Sequence, residues 1–91
     1  MSLYVRIRRL NRTIFFNVAF NETLMHVLER LTHITNIPPD QMRLYKDGAA
    51  MDLDSTVSDL DINNDDLLIL TYAEVNEDGN LVFEDPEFAK G

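Results

Sequence analysis

An α+β fold, in which a mixed sheet of four or five strands curls around one helix, is predicted by three features of the sequence. Residues 3–20 hold two runs of period-two alternation joined by a short polar link. Residues 24–34 switch to a helical period, and Leu67-Leu68-Ile69-Leu70-Thr71-Tyr72 is an apolar run bounded by polar clusters. Such a run fits a central strand covered on at least one face. At 91 residues the chain suits one compact domain, which buries roughly two-thirds of its unfolded surface.

The first strand, Leu3-Tyr4-Val5-Arg6-Ile7-Arg8-Arg9-Leu10, and the second, Thr13 to Phe20, form a hairpin across Asn11-Arg12. Alternation puts Leu3, Val5, Ile7, Ile14, Phe16 and Val18 on one face; Tyr4, Arg6, Arg8, Thr13, Phe15 and Asn17 share the other. Leu24, Val27, Leu28, Leu31 and Ile34 then make the stripe of an amphipathic helix over 23–35. Asn21 or Thr23 supplies its N-cap oxygen, and Glu22 complements the positive end of its dipole. Ile37-Pro38-Pro39 stops it, with Asn36 as a left-handed terminator.

Residues 42–46 read as a third strand, Asp47-Gly48 as a turn, and 49–51 as a short edge strand. Residues 52–64 read as a wrapping loop anchored by Leu53, Val57, Leu60 and Ile62, with a helical turn from Ser55 or Thr56. After Tyr72 the texture turns acidic. Asp78-Gly79 between Val75 and Leu81-Val82-Phe83 permits a second hairpin, and the same stretch equally suits a mobile acidic tail. The expected organisation is a domain over 1–72 and an acidic extension over 73–91.

Cysteine is absent, which excludes disulfide frameworks, thiolate metal sites and thiol catalysis and favours a reducing compartment, the nucleus and cytoplasm. Neither a signal peptide nor a membrane span is expected. Asn11-Arg12-Thr13 and Asn21-Glu22-Thr23 match glycosylation sequons but read as turn and cap chemistry. Net charge is −8, divided unevenly. Residues 1–46 carry seven basic and three acidic side chains, hence +4; residues 47–91 carry one basic and thirteen acidic, hence −12. That asymmetry suggests a partner-facing dipole, and the overall field disfavours nucleic acid.

Enzyme chemistry finds little support. Gly48, Gly79 and Gly91 are scattered and form no phosphate-cradling loop. His26 and His33, seven apart, share a helix face opposite the apolar stripe and read as solvated. Asp59-x-Asp61-x-Asn63-x-Asp65 imitates a calcium loop but has Asn64 where glycine is needed and Leu70 where the closing glutamate belongs. No catalytic residue, cofactor or metal site is expected. The feature that survives is a surface. With the helix on one sheet face, the open face would collect Tyr4, Arg6, Arg8, Phe15, Arg43, Tyr45, Ile69 and Thr71. Tyr and Arg are frequent interface anchors, so these eight are the expected partner-binding residues.

The order hairpin, helix, strand, short strand, loop, long apolar strand is that of the β-grasp. Ile37-Pro38-Pro39-Asp40-Gln41-Met42-Arg43-Leu44 and Thr56-Val57-Ser58-Asp59-Leu60-Asp61-Ile62 resemble the corresponding stretches of ubiquitin, over about the first 72 residues. Within that superfamily, Ile7-Arg8-Arg9, Thr13-Ile14-Phe15, Pro38-Pro39-Asp40 and Arg43-Leu44-Tyr45-Lys46-Asp47 resemble the elongin B family. Asp85-Pro86-Glu87-Phe88 faintly resembles a Glu-Pro-Phe in that family's tail, whereas Ala49-Ala50 and the helix surface depart from it. The resemblance implies a non-catalytic adaptor that pairs with an elongin C-like subunit. Through it the adaptor reaches cullin and BC-box or SOCS-box receptors in ubiquitin ligases, with a further link to transcription elongation.

The alternative is a free-standing ubiquitin-like domain recognised by ubiquitin-binding proteins or the proteasome through Tyr45 and Ile69. A homodimer closed over Phe15 and Tyr45 is a third reading, with a monomer in isolation favoured over it. A conjugated modifier would need a flexible Gly-Gly tail after the last core strand, where this chain has Thr71-Tyr72-Ala73-Glu74-Val75-Asn76.

Overall fold

A computed structural model describes residues 2–91. The elements run β1 (Ser2–Arg9), β2 (Arg12–Ala19), α1 (Leu24–Thr35), a 3-10 turn (Pro39–Gln41), β3 (Met42–Lys46), β4 (Ala49–Ala50), β5 (Asp66–Val75), β6 (Leu81–Phe83) and α2 (Pro86–Ala89). The sheet order is β2-β1-β5-β3-β4, with β6 added to β5. β1 pairs antiparallel with β2 and parallel with β5 from Val5↔Asp66 to Arg8↔Ile69. The first and longest strands therefore lie side by side in the middle of the sheet.

The alternation decides which face is buried. Leu3, Val5, Ile7, Phe16, Val18, Met42, Leu44, Leu68 and Leu70 meet Leu24, Val27, Leu28 and Leu31 of α1 in one core. At about 25 cal/mol per Å² of apolar surface this layer is the main source of stability. Ile34 departs from the expected stripe: it is exposed. It lies one residue before the helix ends, on the flank of the stripe, where Asn36 turns left-handed at φ 61° and returns its N–H to Thr32 O, while the adjacent Thr35 still reaches Met42 Sδ at 3.5 Å. Thr23 is the N-cap, its hydroxyl accepting from His26 N at 3.2 Å.

Between β4 and β5 the chain wraps the start of α1. Leu24 N and Met25 N donate to Ser55 O and Leu53 O; Val57 N and Ser58 N donate to Glu22 O and Phe20 O. Those bonds satisfy helix-end and loop groups that would otherwise need water. Val57 and Ile62 are buried, while Leu53 and Leu60 pack at the core's margin. The Asp47-Gly48 turn has both residues at positive φ, 52° and 83°, the geometry of a tight two-residue hairpin.

Of the two readings left open for residues 73–91, the hairpin is observed. β5 continues through Val75, and β6 returns along it with Ala73↔Phe83 and Val75↔Leu81 in register. Asn76 organises the turn, its side-chain oxygen accepting from Asp78 N and Asn80 N, and Gly79 takes φ 82°. Asp85 then caps the one-turn α2, accepting from Glu87 N at 2.9 Å, with Pro86 in the first turn. No helix among the described residues is long and apolar enough to cross a membrane.

Candidate protein-interaction face

The sheet face turned away from α1 carries the eight expected partner-binding residues, but the chain covers part of it with its own C-terminal segment. Leu10 N donates to Ala89 O, and Arg8 Nε donates to Lys90 O at 3.0 Å. Glu84 is an ion-pair partner of Arg9 and also accepts from Tyr72 N. Arg43 stacks on Phe83 with its guanidinium 3.9 Å from the ring centre; Arg9, on the α1 side of the sheet, stacks at 4.1 Å on Tyr72, which packs at the core's margin. Beneath this cover Ala89 is fully buried.

Five of the eight stand less open than expected. Thr71 is 0% exposed, its hydroxyl turned to Arg43 O at 3.4 Å. Tyr45, at 9% exposed, is likewise closed from solvent. Arg8 and Arg43 keep part of their surface but spend their guanidiniums on Lys90 O and Phe83. Ile69 stays half-buried beside Pro86 and Lys90. Tyr45 lines a cleft whose other wall is Pro86, Glu87 and Lys90 of the C-terminal segment.

The remaining three form a patch that the segment does not reach. Tyr4 and Phe15 stack with ring centres 6.1 Å apart at a 53° tilt. Phe15 is 69% exposed, and its register partner is Arg6. Asp65 fixes the charged side: its carboxylate lies 3.0 Å from Arg6 Nε. That same carboxylate, hydrogen-bonded to the Tyr4 hydroxyl, raises the Tyr4 pKa above the ordinary phenol value. Tyr4 N donates to Asn64 Oδ1. Two aromatic faces with an oriented arginine make a surface suited to protein contact.

Glu22, expected only to complement the helix dipole, has a larger part. Its carboxylate is buried and accepts from Ala19 N at 3.1 Å and from Arg30 Nη1 at 2.7 Å, with His26 Nδ1 at 2.7 Å. Burial, the largest single influence, pulls its pKa upward. The Arg30 bond, the Ala19 N–H, the Arg30 charge and the His26 bond together outweigh it, so the pKa ends below the usual carboxylate range. Arg30 also stacks on Phe16 at 4.6 Å and bonds Asn17 O, tying α1 to β2. An acidic residue eight positions before an Arg across a helix start was the available signal. His26 and His33 are exposed as expected. Among the described residues no group of three or more His, Cys, Asp or Glu is arranged to hold a metal ion.

The strand order, the single core helix and the laced loop before β5 define a ubiquitin-like β-grasp domain. The chain belongs to the Ubiquitin-2 like Rad60 SUMO-like family, Rad60-SLD, whose model matches residues 1–70. A solved structure described as Caldiarchaeum Subterraneum Ubiquitin is similar to it, with a TM-score of 0.75 and 23% sequence identity. The likeness covers 84% of this chain and 99% of that one and shows a common fold. No curated protein matches the chain.

Proposed function

We propose that this ubiquitin-like domain is a non-catalytic protein-interaction adaptor of the elongin B kind, working in the nucleus and cytoplasm. It would pair with an elongin C-like subunit and, through that subunit, reach cullin and BC-box or SOCS-box receptors. A part in transcription elongation belongs to the same reading. The observation that carries the proposal is Phe15, which stands 69% exposed on a regular strand, stacked on Tyr4 and opposite Arg6. An aromatic ring held in water by a sheet, beside a second ring and an oriented arginine, is chemistry suited to a stable protein contact.

The test mixes the purified chain with the elongin C-like subunit of its own organism and measures mass by light scattering. A one-to-one complex that Phe15→Ala weakens at least tenfold supports the adaptor. A second reading, the free-standing domain read by ubiquitin-binding proteins or the proteasome, draws support from the family match, which ends at residue 70 and so leaves out the extension. Absence of the one-to-one complex, together with weak binding of isolated ubiquitin-binding domains, transfers the function to that reading.

A further inference from the structure

We propose that the outer edge of β6 is a strand-addition site, and that its ligand is an extended basic segment of a partner protein in which Lys or Arg alternates with apolar side chains. β6 lies along the end of β5, whereas Tyr4 and Phe15 lie level with its start. The proposal is therefore independent of the adaptor reading.

Register fixes which backbone groups of the hairpin are free. Asn76 N donates to Asn80 O and Glu84 N donates to Tyr72 O, both across the β5–β6 pair. Bonded and non-bonded pairs alternate along an antiparallel ladder. Glu74↔Val82 is thus a bonded pair, while Ala73↔Phe83 and Val75↔Leu81 are not. The N–H and C=O of Leu81 and Phe83 point away from β5, and among the described residues no strand lies on that side to receive them. Beyond Tyr72 the sheet narrows to these two strands, because β3 begins at Met42 opposite Tyr72 and β1 ends at Arg9. Two strands alone are marginal in water, and a third gives a stable ladder.

The side chains suit an incoming strand. Val75, Leu81 and Val82 are 64%, 42% and 53% exposed. Val75 and Leu81 sit opposite each other on the open-face side with Phe83, and Val82 lies on the other side beside Glu74. Edge strands that stay in water are blunted by charge, proline or bulges; Leu81-Val82-Phe83 has neither charge nor proline. Free edge amides flanked by apolar side chains are the elements that strand addition uses.

Charge selects the ligand. Glu74, Glu77 and Asp78 of the hairpin are exposed, and among the described residues none has an ion-pair partner. No Lys or Arg occurs between Asp47 and Ala89, and Arg9, at the base of the hairpin, is paired with Glu84. A strand added beside β6 places its apolar residues over Leu81 and Phe83. Its alternate residues fall on the Val82 side, where a Lys or Arg meets Glu74. A second copy is disfavoured at this edge, since pairing two hairpins brings like carboxylates together.

The test titrates the full chain by NMR with a short end-blocked peptide of alternating Val and Lys. A Kd of about 1 mM or tighter is expected, with shifts centred on residues 81–83 and about tenfold slower amide exchange at Leu81 and Phe83 in the complex. Absence of binding, or shifts centred on another strand edge, would overturn the proposal. A peptide of alternating Val and Glu should not bind; equal affinity for both peptides would overturn the basic character of the ligand. Replacing the central Val residues by Pro keeps the charge and removes the pairing donors, so equal binding of that peptide would show attraction without strand addition. Glu74→Lys combined with Glu77→Lys alters two exposed side chains and should weaken the Val-Lys peptide about tenfold; unchanged affinity would remove charge as the selector. Light scattering completes the test. A doubled mass without peptide, with the Leu81 and Phe83 amides already protected, would assign the edge to a second copy and overturn the proposal.

Discussion

α1 and the C-terminal segment lie on opposite faces of one sheet and are attached by different physics. α1 buries Leu24, Val27, Leu28 and Leu31 at 1% exposure or less, and a 3.6-residue period aligns all four with the sheet. The segment buries Ala89 and otherwise uses arginines and backbone carbonyls. The first attachment is non-directional and large, as apolar burial is. The second depends on geometry and salt. One sheet thus carries one layer held by apolar burial and one held mainly by polar contacts, and the difference follows from side-chain size at the contact, since both layers meet the same strands.

Substitutions in the α1 layer should have the largest effects. Leu31→Ala removes a fully buried side chain and should cost about 2 to 5 kcal/mol, read as a lower urea midpoint with an unchanged slope. Glu22→Ala takes away the buried carboxylate that joins α1 to β2 and should cost about 1 to 3 kcal/mol. That group also sets an acid dependence. Its folded pKa lies below its unfolded value of about 4.3, so its contribution is present above that value and fades as pH falls through the folded pKa. Asp66 acts in the same sense, its carboxyl lowered chiefly by the Asn63 N–H and also by Lys46. Stability measured between pH 6 and pH 3 should decline, and Glu22→Gln should flatten part of that slope.

Smaller effects belong to the C-terminal segment and the open face. Arg9→Ala loses the Glu84 pair and the stacking on Tyr72, costing about 1 kcal/mol. Its signature is faster exchange at Leu10 with little change at Leu28. Smallest is Phe15→Ala, which should shift thermal stability by no more than about 0.5 kcal/mol. A larger loss would show that Phe15 is a packing residue instead of a contact.

Much of the α1 layer was legible from local pattern. The period-two faces of β1 and β2, the helix stripe through Leu31, and the stop before Pro38 with Asn36 left-handed all follow from rules spanning a few residues. Ile34 failed because, ten positions after Leu24, it falls on the flank of the stripe at the helix end, where the sheet does not cover it. The open-face residues were assigned to the right side of the sheet, but Tyr45 and Thr71 were expected in solvent. Tyr45 lies beside Pro86, Glu87 and Lys90, Thr71 turns its hydroxyl to Arg43 O on the neighbouring strand, and a docked alanine leaves no mark in a hydropathy pattern. Asp85-Pro86 does read as a helix start. It says that a turn of helix begins there, not that it returns across the sheet to Leu10. Tyr4, Arg6 and Phe15 were placed correctly because nothing distant intervenes.

The parallel register of β1 and β5 also governs how the domain bears mechanical load. Tension applied at Ser2 and at the far end of β5 runs along two strands that share four consecutive register positions, Val5↔Asp66 to Arg8↔Ile69. Their evenly spaced bonds are loaded together in shear, so extension must rupture the set at once. The β5–β6 hairpin instead presents its three antiparallel pairs one after another to a pull on the C-terminus. It would peel at far lower force, so a domain tethered through its two ends should yield its cover first and its core last.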